Sequence, residues 1–409
     1  MIRLEEAYSI YNATIDPLPR ESIPIRSALN RALADAVQAP NDIPRFDFST
    51  MDGYVLYAED VADVTIAKPA VLPVAHCFFA GAQTGISEVV HGTASRIFTG
   101  APIPDGPNTV IAKEHAETEQ KSGQELLRFS TPFPKNQNIC RRGSRLLKGM
   151  LLADRGQRIT PTLLAALIDA DVDEVIATRH PRIKILVTGD ELRYAGEPLR
   201  HGEIHSSNGP LIEAVLETWG CTVSPFERVA DSPEAVTASL KAAFDFADLV
   251  ITTGGTAGGD RDFVISSAKS IGVKEIFRGV SHKPAKSLFF GLNQDRALLA
   301  LPGNPGGVLL GLVLHARYIL DRLAGQSLPG PRWSAGTLAD SVQRSSTTTK
   351  FIPMHFVVND NGLIQLLQKE SFSVDAANSK SAHEVLVCIP PGDSTCERGS
   401  TAFWTDLPM

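Results

Sequence analysis

Three stretches of the chain share one pattern, a short unbroken apolar run that stops at Thr or Pro followed by Gly. They are "RIKILVTGDEL", turning at Thr188 and Gly189, "ADLVITTGG", turning at Thr253, Gly254 and Gly255, and "RALLALPGNPGG", turning at Pro302, Gly303 and Asn304. Runs of this length without polar alternation predict strands covered on both faces, as in a parallel sheet. The segments between them have helical spacing. In "NGPLIEAVLETWGC", Leu211, Ile212, Val215, Leu216 and Trp219 fall on one face, with Pro210 near the start and Gly220 as the stop. In "DSPEAVTASLKAAFDFA", Ser232 is the cap and Pro233 the first helical residue, and Val236, Leu240 and Phe244 recur at four-residue spacing. Alternating strands and helices predict a doubly wound α/β domain over residues 181–326. Loops after the carboxyl ends of such strands gather at one rim, where ligands bind, so all three glycine loops are expected to face one site.

The texture changes on either side. Over residues 46–144, short β-rich runs such as "AVLPVAHCFF" and "NTVIAKE" are separated by Gly and Pro clusters, which predicts an inserted β domain. Residues 327–409 read as a second β domain, with "KFIPMHFVVNDNGLIQLLQ" a hairpin that carries Asn361 and Gly362 in its turn. Residues 1–45 and 145–180 read as helical; "TPTLLAALIDA" opens with Thr160 as cap and Pro161 in the first turn. The β segment interrupts them, so one discontinuous helical domain is expected. The fold class is multidomain α/β plus β.

At 409 residues the chain exceeds one ordinary core. No uncharged apolar run approaches the roughly 18 residues of a membrane span; the longest is Val308 to Leu314. The start, "MIRLEEAYSIYN", lacks the cationic segment and apolar core of a leader, so the expectation is a cytoplasmic protein without a membrane partner. A net charge of −7 argues against nucleic acid as partner but leaves an anionic small molecule open. Five scattered cysteines with no Cys-x-x-Cys pair argue against a disulfide framework and a structural zinc.

Candidate chemistry lies in the loops. The stretch Thr252 to Asp262 is no Walker A motif, yet glycine-rich backbone after a strand aims N–H groups at an oxyanion, or else simply makes a tight turn. Asp260 and Asp262 favour the first reading, because paired carboxylates beside a phosphate hold Mg²⁺ through waters. Asp190 and Glu191 occupy the matching position of another strand. They complement a helix dipole, or Glu191 serves as magnesium ligand or water-orienting base. Lys283 and Lys286 flank Pro284 as two solvated lysines or as point charges balancing the ligand's phosphates. "RFDFSTMDGYV", with Asp52, reads as an Asp-Gly turn entering a strand, and "FTGAPIPDGPNTV" as a proline-rich loop with Thr99 at its mouth. Arg141 and Arg142 are anion contacts or ordinary surface residues; His201 and His205, four apart across Gly202, make a poor metal pair.

Taken in order, "FDFSTMDGY", "TGAPIPDG", "RRG", "TGDEL", "GEIHSSN", "TTGGTAGGDRD", "KPAK" and "LPGNP" resemble the molybdopterin molybdenumtransferase family, called MoeA in bacteria and the E domain of gephyrin in animals. The resemblance covers nearly the whole chain. It implies a four-domain homodimer with its cleft between subunits. It also implies insertion of molybdate into adenylylated molybdopterin, with Mg²⁺-assisted release of AMP. By motif position it implies functional roles for Asp52, Thr99, Glu191, Asp231, Asp262 and Lys283, and ligand contacts at Lys286, Ser207 and Asn208. Asp231 also reads as help for the helix cap at Ser232. Transient partners would be a molybdopterin adenylyltransferase and the recipient molybdoenzymes.

The chain departs from the family at its ligand loops. Gly-Gly-Val-Ser-Val-Gly-Asp becomes Gly254-Gly255-Thr256-Ala257-Gly258-Gly259-Asp260, and Lys-Pro-Gly-Lys-Pro becomes Lys283-Pro284-Ala285-Lys286-Ser287. The Val-Ser after Leu-Pro-Gly-Asn-Pro becomes Gly306-Gly307, and the acids after Arg-Arg-x-Gly are Ser144 and Arg145. Either substrate handling has shifted or selection on activity has relaxed. The alternatives are a paralogue using tungstate or another nucleotide, and a non-catalytic carrier of pterin or cofactor.

Overall fold

The structure, a computed structural model, describes residues 1–81, 88–256, 262–368 and 383–408. The chain falls into two compact units, one formed by Met1–Asp35, Arg155–Thr160 and Val175–Met409, the other by Ala36–Asp154 and Pro161–Glu174.

The first unit is built on a six-stranded sheet. Its strands are β1 (Ile183–Thr188), β2 (Glu227–Val229), β3 (Leu249–Thr253), β4 (Lys274–Arg278), β5 (Phe289–Asn293) and β6 (Arg296–Leu301), in the order β2-β1-β3-β6-β5-β4. The first four are parallel, and β5 and β4 add an antiparallel edge. Successive residues of β1, β3 and β6 feed opposite cores, as the two-residue period of a strand requires. Ile183, Ile185, Val187, Leu249 and Ile251 pack with helix α1 (Leu4–Thr14), α2 (Asn208–Thr218) and the helix α5 that opens at Pro305. Leu186, Val250 and Leu298 pack with α3 (Pro233–Phe246) and α4 (Phe263–Ser270) on the other face. The expected cap holds: Ser232 Oγ accepts from the Ala235 N–H at 3.1 Å, with Pro233 in the first turn. Helix α5 runs through a π-turn, Leu312–Ala316, before continuing as Arg317–Leu323.

A second sheet of this unit closes on itself. Strands Thr349–Val358, Ile364–Gln368, Ser334–Leu338, Thr401–Asp406 and His383–Ile389 pair in that order, and the last returns to the first, giving a small barrel. The short strand His282–Lys283 joins it alongside Thr349 and Lys350. Asn361 and Gly362 lie in the hairpin turn as expected, where Asn359 Oδ1 accepts from the Asn361 and Leu363 N–H groups.

The second unit carries another six-stranded sheet, in the order Thr109–Ala112, Gly53–Leu56, Ala94–Ile97, Ala70–Phe78, Gln124–Phe129, Glu117–Lys121. The helical texture expected of residues 1–45 and 145–180 holds only at Leu4–Thr14 and Pro161–Asp169. Arg20–Pro24 and Glu174–Thr178 instead pair as strands. Pro17, Pro19 and Pro24 forbid a continued helix, and the β-branched pair in "EVIAT" suits a pleated surface.

Candidate active site

Strand order reverses between β1 and β3, and a cleft of about 290 Å³ opens there beyond their carboxyl ends. Thr188, Gly189, Glu191, Ser207, Asn208, Asp231, Thr253, Gly254, Gly255, Asp262 and Gly303 line it. The three glycine loops therefore meet, as the sequence pattern predicts. Gly254 and Gly255 have φ of +91° and +64°, and a Cβ at Gly254 would sit 2.6 Å from Thr188 Oγ1, so both conformation and space demand glycine. Helices α2 and α4 begin at this rim at Asn208 and Asp262 and turn their first-turn N–H groups toward the cleft, whereas α5, which begins beside Gly303, is capped by Asn304 Oδ1 on the Gly307 N–H.

Asn208 ties the rim together. Its amide nitrogen donates to Thr253 Oγ1 at 3.1 Å and to the Gly303 carbonyl at 2.7 Å, and the Thr253 hydroxyl donates to the Pro302 carbonyl at 3.1 Å. The other amide atom, Asn208 Oδ1, is buried without a partner, as is the hydroxyl of Ser206. These residues are 9% and 5% exposed and both line the cleft, so each is a polar group that a ligand would satisfy. The resemblance points to Ser207; the structure buries Ser206 and exposes its neighbour. No periodicity marks Ser206, and only its place beside Asn208 could have drawn notice.

The acids are arranged differently from one another. Asp231 is not the helix cap, since Ser232 fills that role. It forms a reciprocal link with Asp190, each carboxylate accepting the other residue's N–H, at 3.3 and 3.0 Å. That link clamps the turn after β1 to the turn after β2. Glu191 folds its carboxylate back over Gly189, where a Cβ would lie 2.8 Å from Oε2. Asp262 stands at the N-cap position of α4 without a side-chain capping bond and lines the same cleft. Asp260 lies outside the described residues.

Lys286, Pro302 and Asn304 line a neighbouring cleft of about 600 Å³ with Met1, Thr256, Arg278, Ala285 and Ser287. The Pro302–Asn304 turn contributes to both. Lys283 is exposed on the strand beside Lys350 and lines neither. Two departures from the family motif touch here: the Thr256 hydroxyl lies 3.3 Å from that of Ser287. A third has a packing reason, because a Cβ at Gly307 would come within 2.6 Å of Pro302 Cγ.

In the second unit, Thr99 donates from its N–H and its hydroxyl to Asp52 Oδ1, at 2.9 and 2.8 Å, and Lys113 Nζ lies 3.8 Å from Oδ2. The two Thr99 bonds, with Lys113 and Arg96 nearby, hold the Asp52 carboxyl below the usual carboxylate range. Arg141 bonds Asp47 and Asn136, and Arg142 bonds Asp42 at 2.7 Å, so both are engaged in pinning loops. His205 Nε2 lies 3.1 Å from the Glu197 carbonyl. Among the described residues no cluster of three His, Cys, Asp or Glu groups is placed to hold a metal.

Comparison with known proteins agrees with this geometry. A family described as the MoeA N-terminal region (domain I and II) matches residues 2–170, and one described as a probable molybdopterin binding domain matches residues 184–322. A molybdopterin molybdenumtransferase of Synechococcus elongatus is 33% identical over 335 residues, 80% of this chain and 81% of its own. Another, of Bacillus subtilis, is 29% identical over 386 residues, 93% and 88% of the two chains. The crystal structure of a molybdopterin biosynthesis MoeA protein from Pyrococcus horikoshii OT3 shares the fold, with a TM-score of 0.80 at 23% identity over 99% of this chain and 100% of that one. The chain thus belongs to the molybdopterin molybdenumtransferase family.

Proposed function

We propose that, within molybdenum cofactor biosynthesis, this chain inserts molybdate into adenylylated molybdopterin with Mg²⁺-dependent release of AMP. The observation that carries the reading is the cleft at the β1–β3 crossover. It joins glycine backbone and helix starts suited to phosphate, two orphaned polar atoms suited to a heterocycle's edge, and the carboxylates of Glu191 and Asp262. This donor set fits magnesium, a hard cation that keeps several waters and takes one or two carboxylates with the ligand's phosphates rather than a full protein cage. When bound, the ion would neutralise phosphate charge and polarise the phosphoanhydride.

The remaining roles belong to this chain's own residues. The Gly255 N–H and the start of α2 cradle phosphate oxygens, while the Gly254 N–H is held by the Leu301 carbonyl at 3.2 Å. Lys286, with Lys283 nearer the barrel, balances their charge. Glu191 orients a water or holds the ion, and Asp52 with Thr99 enters by motif position. We read the chain as a cytoplasmic homodimer of four domains, in transient contact with an adenylyltransferase and with recipient molybdoenzymes. Among the described residues no helix is long and apolar enough to cross a membrane.

Purified protein with adenylylated molybdopterin, Mg²⁺ and molybdate should release AMP. Glu191→Gln and Asp262→Asn should each lower that rate by about 10²-fold while leaving pterin binding largely intact. If both variants turn over like the parent, the site assignment is wrong. The Thr256–Ser287 contact supports a second reading, since two departures that touch make a concerted change in ligand handling. Tungstate replacing molybdate in the same assay tests it, and tight pterin binding without turnover would favour a carrier.

A further inference from the structure

Three buried polar side chains are left unexplained by the proposed chemistry. Tyr11 Oη lies 2.8 Å from His315 Nδ1, His315 Nε2 lies 2.9 Å from His282 Nε2, and His282 Nδ1 lies 2.8 Å from the Pro284 carbonyl oxygen. None is more than 1% exposed, and Phe290 and Phe351 pack against the ends of the chain. The direction of every bond follows from valence. A carbonyl only accepts, so His282 Nδ1 donates to Pro284. Burial without a carboxylate partner favours neutral rings, which makes His282 Nε2 an acceptor. His315 Nε2 is then the donor between the rings, and His315 Nδ1 accepts the Tyr11 hydroxyl. One unbroken relay therefore runs from helix α1 through the π-turn of α5 to a carbonyl inside the Lys-Pro-Ala-Lys loop.

Three apolar side chains of similar size would fill this space without the desolvation cost of three polar ones. What the relay adds is direction: it fixes ring orientations, and through His282 it fixes the Pro284 peptide. The loop beyond is otherwise held by the Val280 N–H on the Lys286 carbonyl at 3.0 Å and by the Thr256–Ser287 hydroxyl pair. π-Turns of this kind often mark functional positions, and here the turn places His315.

We propose that Tyr11, His315 and His282 are positioning residues that hold the Lys283–Lys286 loop so that Lys286 is presented to the cleft it lines. The inference rests on the reading that this loop binds the phosphates of the ligand. Inorganic pyrophosphate is the probe, titrated calorimetrically into the whole protein at a temperature where circular dichroism shows every variant folded. Lys286→Gln tests the loop reading itself. If pyrophosphate does not bind, or binds regardless of Lys286→Gln, that reading fails and the proposal with it.

If Lys286→Gln weakens binding, the relay variants decide. His282→Leu should weaken pyrophosphate about tenfold, the scale on which outer-shell partners of a site act. His282→Asn places an amide nitrogen near the position of Nδ1 and should stay within about threefold of the parent, although both variants lose the contact to His315. A purely structural relay would lower the melting temperature of both and leave pyrophosphate affinity unchanged. That result, or equal weakening by Leu and Asn, overturns the proposal. Should His282→Leu not fold, Tyr11→Phe removes a single oxygen from the far end. It should weaken binding about threefold, and unchanged affinity would again overturn the proposal.

Discussion

Ala285 occupies the left-handed region, with φ of +66°, at the place where the family motif has glycine. That conformation costs a residue with a Cβ about 1–2 kcal/mol. Its methyl group is buried against Leu310, Val313 and Phe351, worth about 0.8 kcal/mol, and alanine also loses less backbone entropy than glycine on folding, by about 0.5–1 kcal/mol. The opposing contributions nearly cancel, so this departure is tolerated by packing. Gly307 works in the other direction. Its N–H donates to Asn304 Oδ1 at 2.6 Å and its α-carbon faces Pro302, leaving no room for a side chain. Restoring the family's residue with Gly307→Ser should cost about 1–3 kcal/mol by overpacking, read as a lower urea midpoint at unchanged slope. Of the candidate residues, Gly254 and Asn208 were legible because backbone freedom and motif order mark them. The roles of Asp231 and Arg141 were not legible, because a charged side chain that clamps a loop and one that meets a ligand have the same letter. Only the partners, Asp190 in one case and Asp47 in the other, separate them.

At the scale of elements, β1, β3 and β6 announced themselves by unbroken apolar runs, and α3 by its cap and proline. Strands β4 and β5 did not, since "KEIFR" carries three charges on an exposed edge and "FFGLN" is broken by Gly291. The π-turn of α5 was equally hidden, because one extra residue in a helix leaves no mark in apolar spacing when every neighbour is apolar. This turn has a measurable electrostatic effect. Burial pushes His282 down to about 4, against a carbonyl contact that acts the other way, and burial together with the facing His282 pushes His315 well below the ordinary imidazole range. Both rings stay neutral in the fold while the unfolded chain takes up protons near pH 6.5. Their contribution is therefore fully present above about pH 6.5 and is lost as pH falls toward 4. Urea midpoints should drop between pH 7 and pH 5, and the double variant His282→Leu, His315→Leu should show a flatter dependence over that interval. An equal slope in both proteins would refute the assignment.

The whole molecule comprises two units, each with hydrophobic cores of its own. Tyr54, Leu56, Ile111 and Leu127 centre one core of the unit spanning Ala36–Asp154 and Pro161–Glu174, while Ile185, Ile251 and Leu299 centre one of the other. Separate cores predict separate cooperative transitions. Differential scanning calorimetry should therefore give more than one component, with the calorimetric enthalpy exceeding the van't Hoff value for the main peak. A single two-state peak would show that the units unfold as one.

The relay between Tyr11 and His315 joins residues 304 positions apart. A ribosome adding about 5–20 residues per second takes on the order of 15–60 s to supply the second partner after the first. For much of that interval, until Phe277 and Phe290 follow, helix α1 has emerged with Tyr11 lacking the rings that pack against it. Substitutions that polarise this face would therefore act on the nascent chain as well as on the finished one. Lesions at Ala7, outside the relay, should accordingly show first as a smaller yield of soluble protein per cell, with the molecules that do complete the fold retaining most of their activity.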